Sequence, residues 1–483
     1  MSRLVSLSLL LVLACAPKAP PPLLVVQDVA PAPVDLLGPR PTIGAEVPFT
    51  LPTPETTRLS NGAGVWVIPA PSLPLVTLTL SVPGGSSVDP VGKEGTAAIA
   101  DRLLTQGAGK RDAQAFAEAV ETLGVQLSVD TGRAESRITV SCTKEKLPAA
   151  LDILADVVLR PRLTQVDFVR ERGILVSDLQ MAQDEPVAVA AKVAWSRWFG
   201  AAHPYARSSD GTVKGMQAVT FKDAKAYHKS AWNAAQARFT VAGAVTKDEI
   251  VAALEPRLGA AWKAGSSASV KLPVAPAHTD EGIYLVDKPD SAQTMFYLVF
   301  PGPAIGDPSA AAVEAGSIVL GGTFTSRLNQ LLREKKGYTY GARARVDSLP
   351  GAGVRVVSTR IRTDVTGPAM ADIVGELAAI RAGVTPEEVT KARAAYRQDL
   401  VEAMESREGQ AGTFAPWQSA GLGPEAQAAE LAAVQTVTPE QVKAAMAEYD
   451  VSKAVIVLVG DKAKIEKPLA DAGFTKITVV EPL

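Results

Sequence analysis

Alternating apolar and polar positions mark strands at Leu75–Val82 and Thr294–Phe300, because successive side chains of an extended strand point to opposite faces. Residues 147–160, 163–183, 367–382 and 385–406 read instead as helices. The start of the last one is written into the chain: Thr385 as N-cap, Pro386 at the first helical position, and Glu387 and Glu388 in the first turn, where carboxylates meet the positive end of the helix dipole. Apolar runs at Phe239–Gly243 and Ile456–Gly460 read as closing strands. Strand runs mixed with long helices predict an α+β fold, each sheet mixed and layered with helices.

The pattern occurs twice. Pro83-Gly84 followed by Asp89-Pro90 returns as Pro301-Gly302 followed by Asp307-Pro308, an offset of 218 residues (301 − 83). Val219-Thr220 with Lys225-Ala226 returns as Val437-Thr438 with Lys443-Ala444, again 218 (437 − 219). The strand ending at Gly243 answers the one ending at Gly460, an offset of 217 (460 − 243). One match could be chance; three in the same order are hard to dismiss. The period is far longer than a solenoid unit, so the chain reads as two tandem homologous domains.

The expected organisation is a signal peptide at 1–15, a Pro/Ala-rich stalk at 16–47, a first domain at 48–264, a linker at 265–281 and a second domain at 282–483. Arg3 and the apolar run Leu4–Ala14 form a secretory signal too short to span a bilayer. Val12-Leu13-Ala14-Cys15 resembles a bacterial lipobox, so Cys15 is the expected lipidation site, with ordinary cleavage as the alternative. Ala16–Pro33 follows as a semi-rigid spacer. Lys+Arg 49 against Asp+Glu 51 gives a net charge of −2, with no basic run of the kind nucleic acid binders carry. Beyond Cys15 only Cys142 remains, in a β-like alternation, which leaves no intrachain disulfide and no cysteine zinc site.

The tandem domains with Pro-Gly after the first strands, the triplet His203-Pro204-Tyr205 and the run from Gly322 through Arg333-Glu-Lys-Lys-Gly337 to Tyr340 resemble the pitrilysin/insulinase metallopeptidases over roughly residues 50–483. The resemblance implies a mitochondrial-processing-peptidase-like fold and, in active members, a His-x-x-Glu-His helix. Two imidazoles four residues apart share one helical face and hold zinc, and the Glu activates a water. Here the matching positions read Ala98, Asp101 and Arg102, and the downstream carboxylate position falls at Asp178. Alanine has no lone pair, and arginine is a permanent cation with donors only. His203, His228 and His278 are scattered. No metal is expected in this chain.

In the same family an Arg and a Tyr seven residues later, on the second domain, hold the substrate carbonyl and its developing oxyanion. The matching pair is Arg333 and Tyr340, with Tyr338 as the candidate if the register slips by two. Gly337 is expected to end a helix so that Tyr340 opens a strand pointing back towards Arg333. The plain alternative is a solvated basic run at Arg333–Lys336 and a packing role for Tyr340. An erased zinc helix beside a kept Arg/Tyr pair resembles the non-zinc subunit of heterodimeric bacterial members. That implies a zinc-bearing sibling as partner, peptide substrates, zinc only in the partner, and a lipid-anchored, periplasm-facing location. Ala16-Pro17 after the cysteine favours the outer membrane. A non-catalytic scaffold or peptide-binding protein of the same fold is the competing class. No Gly-x-Ser-x-Gly elbow supports a third, self-sufficient hydrolase.

Overall fold

Two runs of alternating residues with both faces covered set the architecture. In a computed structural model the described residues are Thr42, Gly44, 47–263 and 281–483. The signal peptide, Cys15, nearly all of the stalk, the linker up to residue 280 and His278 lie outside them. Thr50–Leu483 forms one compact unit.

The first half contributes β1 (Glu55–Arg58), β2 (Gly64–Pro69), β3 (Leu75–Pro83), the two-residue β4 (Gly107–Ala108) and β5 (Arg111–Asp112), β6 (Gln126–Thr131), β7 (Glu135–Thr143) and β8 (Arg238–Gly243). The second contributes β9 (Gly282–Asp287), β10 (Gln293–Pro301), β11 (Ala342–Leu349), β12 (Ala352–Arg362), β13 (Val455–Gly460) and β14 (Ile477–Val479). One six-stranded sheet runs β1-β2-β8-β3-β7-β6 and the other β11-β12-β10-β13-β9-β14. Read from opposite ends, five strands of each sheet correspond in order and direction, with a single parallel pair, β2 with β8 and β9 with β13, in matching places. The offsets repeat those of the sequence: 218 for β3 and β10 (293 − 75) and 217 for β8 and β13 (455 − 238). The sheets differ at one edge. β1 joins β2 antiparallel, whereas β14 joins β9 parallel from the chain's far end.

The expected helices lie at Leu147–Leu159, Gln165–Ala182, Thr366–Ala382 and Pro386–Glu405. Thr385 and Glu388 form a reciprocal capping box, and so do Thr220 with Asp223 and Thr438 with Gln441, at the repeated Val-Thr pairs. Cys142 sits buried in β7, where burial pushes its thiol up to about 11.

Each sheet buries one face against helices of its own half and the other against a helix lent by the opposite half. In β10, Phe296, Leu298 and Phe300 face the second half's own core, while Met295, Tyr297 and Val299 pack with Val189, Val193 and Trp198. Those three belong to the helix Pro186–Phe199 of the first half. In return, Phe414 and Trp417 of the helix Arg407–Ser419 pack on Trp66, Ile68 and Ala242 of the first sheet. Burying a phenylalanine contributes roughly 1.5–3 kcal/mol, so the exchange ties the two halves together.

Candidate functional site

The stretch that would carry a zinc motif is a short helix, Thr96–Arg102. Its first turn is held by Asp89, whose carboxylate accepts the Gly95 N–H at 2.7 Å and the Ala97 N–H at 2.8 Å. Burial outweighs those bonds and pushes the Asp89 carboxyl up to about 7.

At the other end of this helix Arg102 Nε donates to Glu171 Oε2 at 2.9 Å. Glu171 lies in the helix Gln165–Ala182, is almost wholly buried, and takes a second donor from Arg170 Nε at 3.2 Å. A covalently fixed cation on the degenerate motif is therefore paired with a buried carboxylate of the neighbouring helix. Asp178, the downstream position named from sequence, is exposed on the same helix seven residues later (178 − 171). Glu171 escaped the sequence reading because nothing in the charged run Arg170-Glu171-Arg172 says which residue turns inward.

Asp101 does not stand where it could work on a water. It is 1% exposed and accepts hydrogen bonds from Thr131 Oγ1 at 2.7 Å, Trp232 Nε1 at 3.1 Å and the Ser136 hydroxyl. Burial pushes its carboxyl up to about 6 against the pull of those three donors. Its role is that of an interior acceptor joining the short helix to β6, β7 and Trp232.

These residues do not fit zinc. Ala98 offers no lone pair, Arg102 offers only N–H donors, its Nε already given to Glu171, and Asp101 faces inward. Among the described residues no three histidine, cysteine or carboxylate side chains come together as a metal-holding group. His203 Nδ1 accepts from the Tyr205 N–H at 3.0 Å and its ring stacks on Phe199 at 4.8 Å. His228 Nε2 sits 3.1 Å from the Val158 carbonyl oxygen, and burial holds its imidazole below the ordinary range.

In the second half, Arg333 lies on a wide π-type turn, Asn329–Lys335. Gly337, at φ +62°, ends it: its N–H donates to the Arg333 carbonyl at 3.1 Å and the Tyr338 N–H donates to the Leu332 carbonyl at 2.8 Å. Glycine takes this left-handed position without the strain a side chain would bring. The Arg333 guanidinium carbon stands 3.7 Å from the centre of the Phe324 ring. Its Nη1 is buried and has no hydrogen-bond partner among the described residues, where the nearest carboxylate oxygen, on Glu334, is 3.7 Å from it. A buried donor without an acceptor is costly, and stacking on a ring leaves the in-plane N–H groups free for a bound acceptor.

Tyr340 departs from the expectation. β11 begins at Ala342, and Tyr340 stands before it in the connecting segment, 92% exposed. The reason is Asn329. Its Nδ2 donates to the carbonyls of Thr323 and Ala342, both at 3.0 Å, and its Oδ1 accepts the Ala342 N–H at 2.8 Å. Pairing is thereby fixed to begin at Ala342, with Tyr340 outside the sheet. Tyr338 is half-buried against the second core. Two amides, Asn329 and Gln330, interrupt the run Leu328-Asn-Gln-Leu-Leu, and the sequence does not say that it is Asn329 that turns inward to form this clamp. Among the described residues no hydrogen bond or ion pair links Arg333 or Tyr340 to the helix Thr96–Arg102.

Comparison with known proteins places this geometry. Residues 65–202 match the family model described as "Insulinase (Peptidase family M16)", and residues 218–396 match "Peptidase M16 inactive domain". An uncharacterized zinc protease of Mycobacterium bovis is 26% identical over 361 residues, covering 73% of this chain and 80% of that protein. A peptidase M16 inactive domain structure from Pseudomonas fluorescens is similar at a TM-score of 0.79 and 26% identity, covering 84% of this chain and 98% of that one. A chain of Complex III2 from Candida albicans shares the fold at a TM-score of 0.74 and 14% identity, covering 86% of this chain and 99% of that chain.

Proposed function

Because this chain belongs to the insulinase family, peptidase family M16, and lacks an active zinc site, we propose that it is the non-zinc subunit of a two-chain zinc peptidase. In that reading the sibling carries the metal and its polarised water, and this chain supplies a wall of the chamber and the group that holds the substrate carbonyl. The observation that carries it is Arg333, a guanidinium stacked on Phe324 with a buried Nη1 that no acceptor among the described residues meets. Such a donor, preorganised where negative charge develops, stabilises the transition state more than the ground state. Tyr340, exposed in the free chain, reaches the same carbonyl only once a partner or peptide orders it. A lipid anchor at Cys15 would place the pair in the cell envelope, facing the periplasm.

The test is reconstitution. The chain alone neither retains stoichiometric zinc nor cleaves peptides, and activity appears on mixing with a sibling bearing His-x-x-Glu-His. Arg333→Ala and Tyr340→Phe lower turnover of the mixture far more than they weaken assembly. If both variants support turnover equal to wild type, the pair has no catalytic role.

The solvent position of Tyr340 favours a second reading, a scaffold or peptide-binding protein of the same fold in which the pair is a relic. Its mark is a sibling that cleaves equally well without this chain.

A further inference from the structure

We propose that the pocket between the β1–β2–β8 edge of the first sheet and the end of the helix Arg407–Ser419 binds a carboxylate. The cavity, about 450 Å³, is built from both halves. Arg58 comes from β1, Trp66 from β2, Arg238 from β8, and Gln418 from the lent helix, with Leu422 just beyond it.

Among the described residues every charged side chain lining it is a cation. Arg58 Nη1 donates to the Gly62 carbonyl at 2.9 Å and Arg238 Nη1 to the Ala237 carbonyl at 3.0 Å. Each guanidinium has five N–H donors, and among the described residues no carboxylate pairs with either arginine. Gln418 is 3% exposed. Its Oε1 accepts from Thr240 Oγ1 at 2.8 Å, which turns Nε2 to the pocket side, buried and without a partner among the described residues. Two guanidinium forks and an orphaned amide donor form a set that asks for an oxyanion.

Gly64 keeps the space open. Its backbone is not left-handed, so conformation does not require glycine there. A Cβ at this position would meet Arg238 Cδ at 3.2 Å and Gln418 Nε2 at 3.5 Å, entering the gap between the two donors. Gly64 opens β2, where a glycine lets neighbouring groups approach closely. Trp66 and Leu422 add an apolar wall, which suits a carboxylate on an aliphatic body over inorganic phosphate. Burial, and then the nearby Arg58, hold the Arg238 guanidinium below its ordinary range; a bound anion relieves that cost. The pocket uses neither Arg333 nor Glu171, so it stands or falls separately from the peptidase reading.

The free end of a peptide and a small organic acid share this chemistry, and calorimetric titration of the full chain separates them. The probes are N-acetyl-alanyl-alanine, its carboxamide, butyrate and inorganic phosphate. At least one of the two carboxylates saturates a single site, and the carboxamide binds at least about tenfold more weakly, as expected from losing charged hydrogen bonds. The dipeptide binding more tightly assigns a peptide end; butyrate binding more tightly assigns a free acid. Arg58→Gln and Arg238→Gln each weaken binding by about tenfold or more, and Gly64→Val, which removes no charge, abolishes it. Arg58 is exposed, so its variant reports even where Arg238→Gln disturbs folding. No saturable carboxylate binding at millimolar concentration overturns the proposal. So does equal binding of the carboxamide, preference for phosphate, or wild-type affinity in all three variants.

Discussion

Arg102 Nε and Glu171 Oε2 lie 2.9 Å apart, joining the last turn of the helix Thr96–Arg102 to the buried side of Gln165–Ala182. Glu171 is nearly inaccessible whereas the Arg102 side chain is about half exposed, at 4% and 48%. The carboxylate therefore depends on the pair more than the guanidinium does.

Arg102→Ala leaves Glu171 with Arg170 alone. The cost expected is about 1–2 kcal/mol, below that of a fully buried pair because water screens the exposed partner. Arg102→His brings no stoichiometric zinc, since Ala98 supplies no second imidazole. Urea denaturation and metal analysis of the purified variants check both; an Arg102→Ala protein as stable as wild type removes the structural role of the pair.

Phe324 is 63% exposed yet provides the ring beneath Arg333. Phe324→Ala is expected to change stability by less than about 0.5 kcal/mol, as for other surface substitutions. In the reconstituted mixture the same variant lowers kcat/KM by roughly 2–10-fold, the worth of a partly desolvated cation–π contact. A variant that loses stability and keeps full kcat/KM would make Phe324 a packing residue only.

Phe414 is 1% exposed and belongs to the helix that the second half lends to the first sheet. Phe414→Ala should cost about 3–5 kcal/mol, the range for emptying a buried aromatic site. Because each sheet is completed by the other half's helix, wild type and variant each unfold in one transition. Two separate transitions in calorimetry would mean that the exchanged helices do not couple the halves.

His228 titrates lower in the folded chain than in the unfolded one because burial disfavours its cation. Below a pH of about 6.5 the unfolded chain binds a proton that the folded chain refuses. Stability from this group is thus complete above that pH and is lost as pH falls towards the folded value. Wild type should lose more stability than His228→Gln between roughly pH 7.5 and 5.5; equal losses would exclude His228 as the source.

The sequence by itself determined the duplication, the strands and the helix starts, because these depend on local rules. Alternation places β3 and β10, and Thr385 with Glu388 caps a helix, whatever surrounds them. The loss of the zinc ligands was equally plain, since the chemistry of Ala98 and Arg102 needs no coordinates. Tertiary structure alone decided what covers each face and which charge meets which. Thr77, Thr79 and Ser81 look like the solvent side of β3, yet they are buried because a helix from more than 300 residues later (407 − 81) lies on that sheet. Glu171 turning to Arg102, and Asn329 holding Tyr340 outside the sheet, are likewise contacts between segments. Periodicity reports the conformation of one segment. The partner of a side chain is set by how segments pack, and no local pattern encodes that.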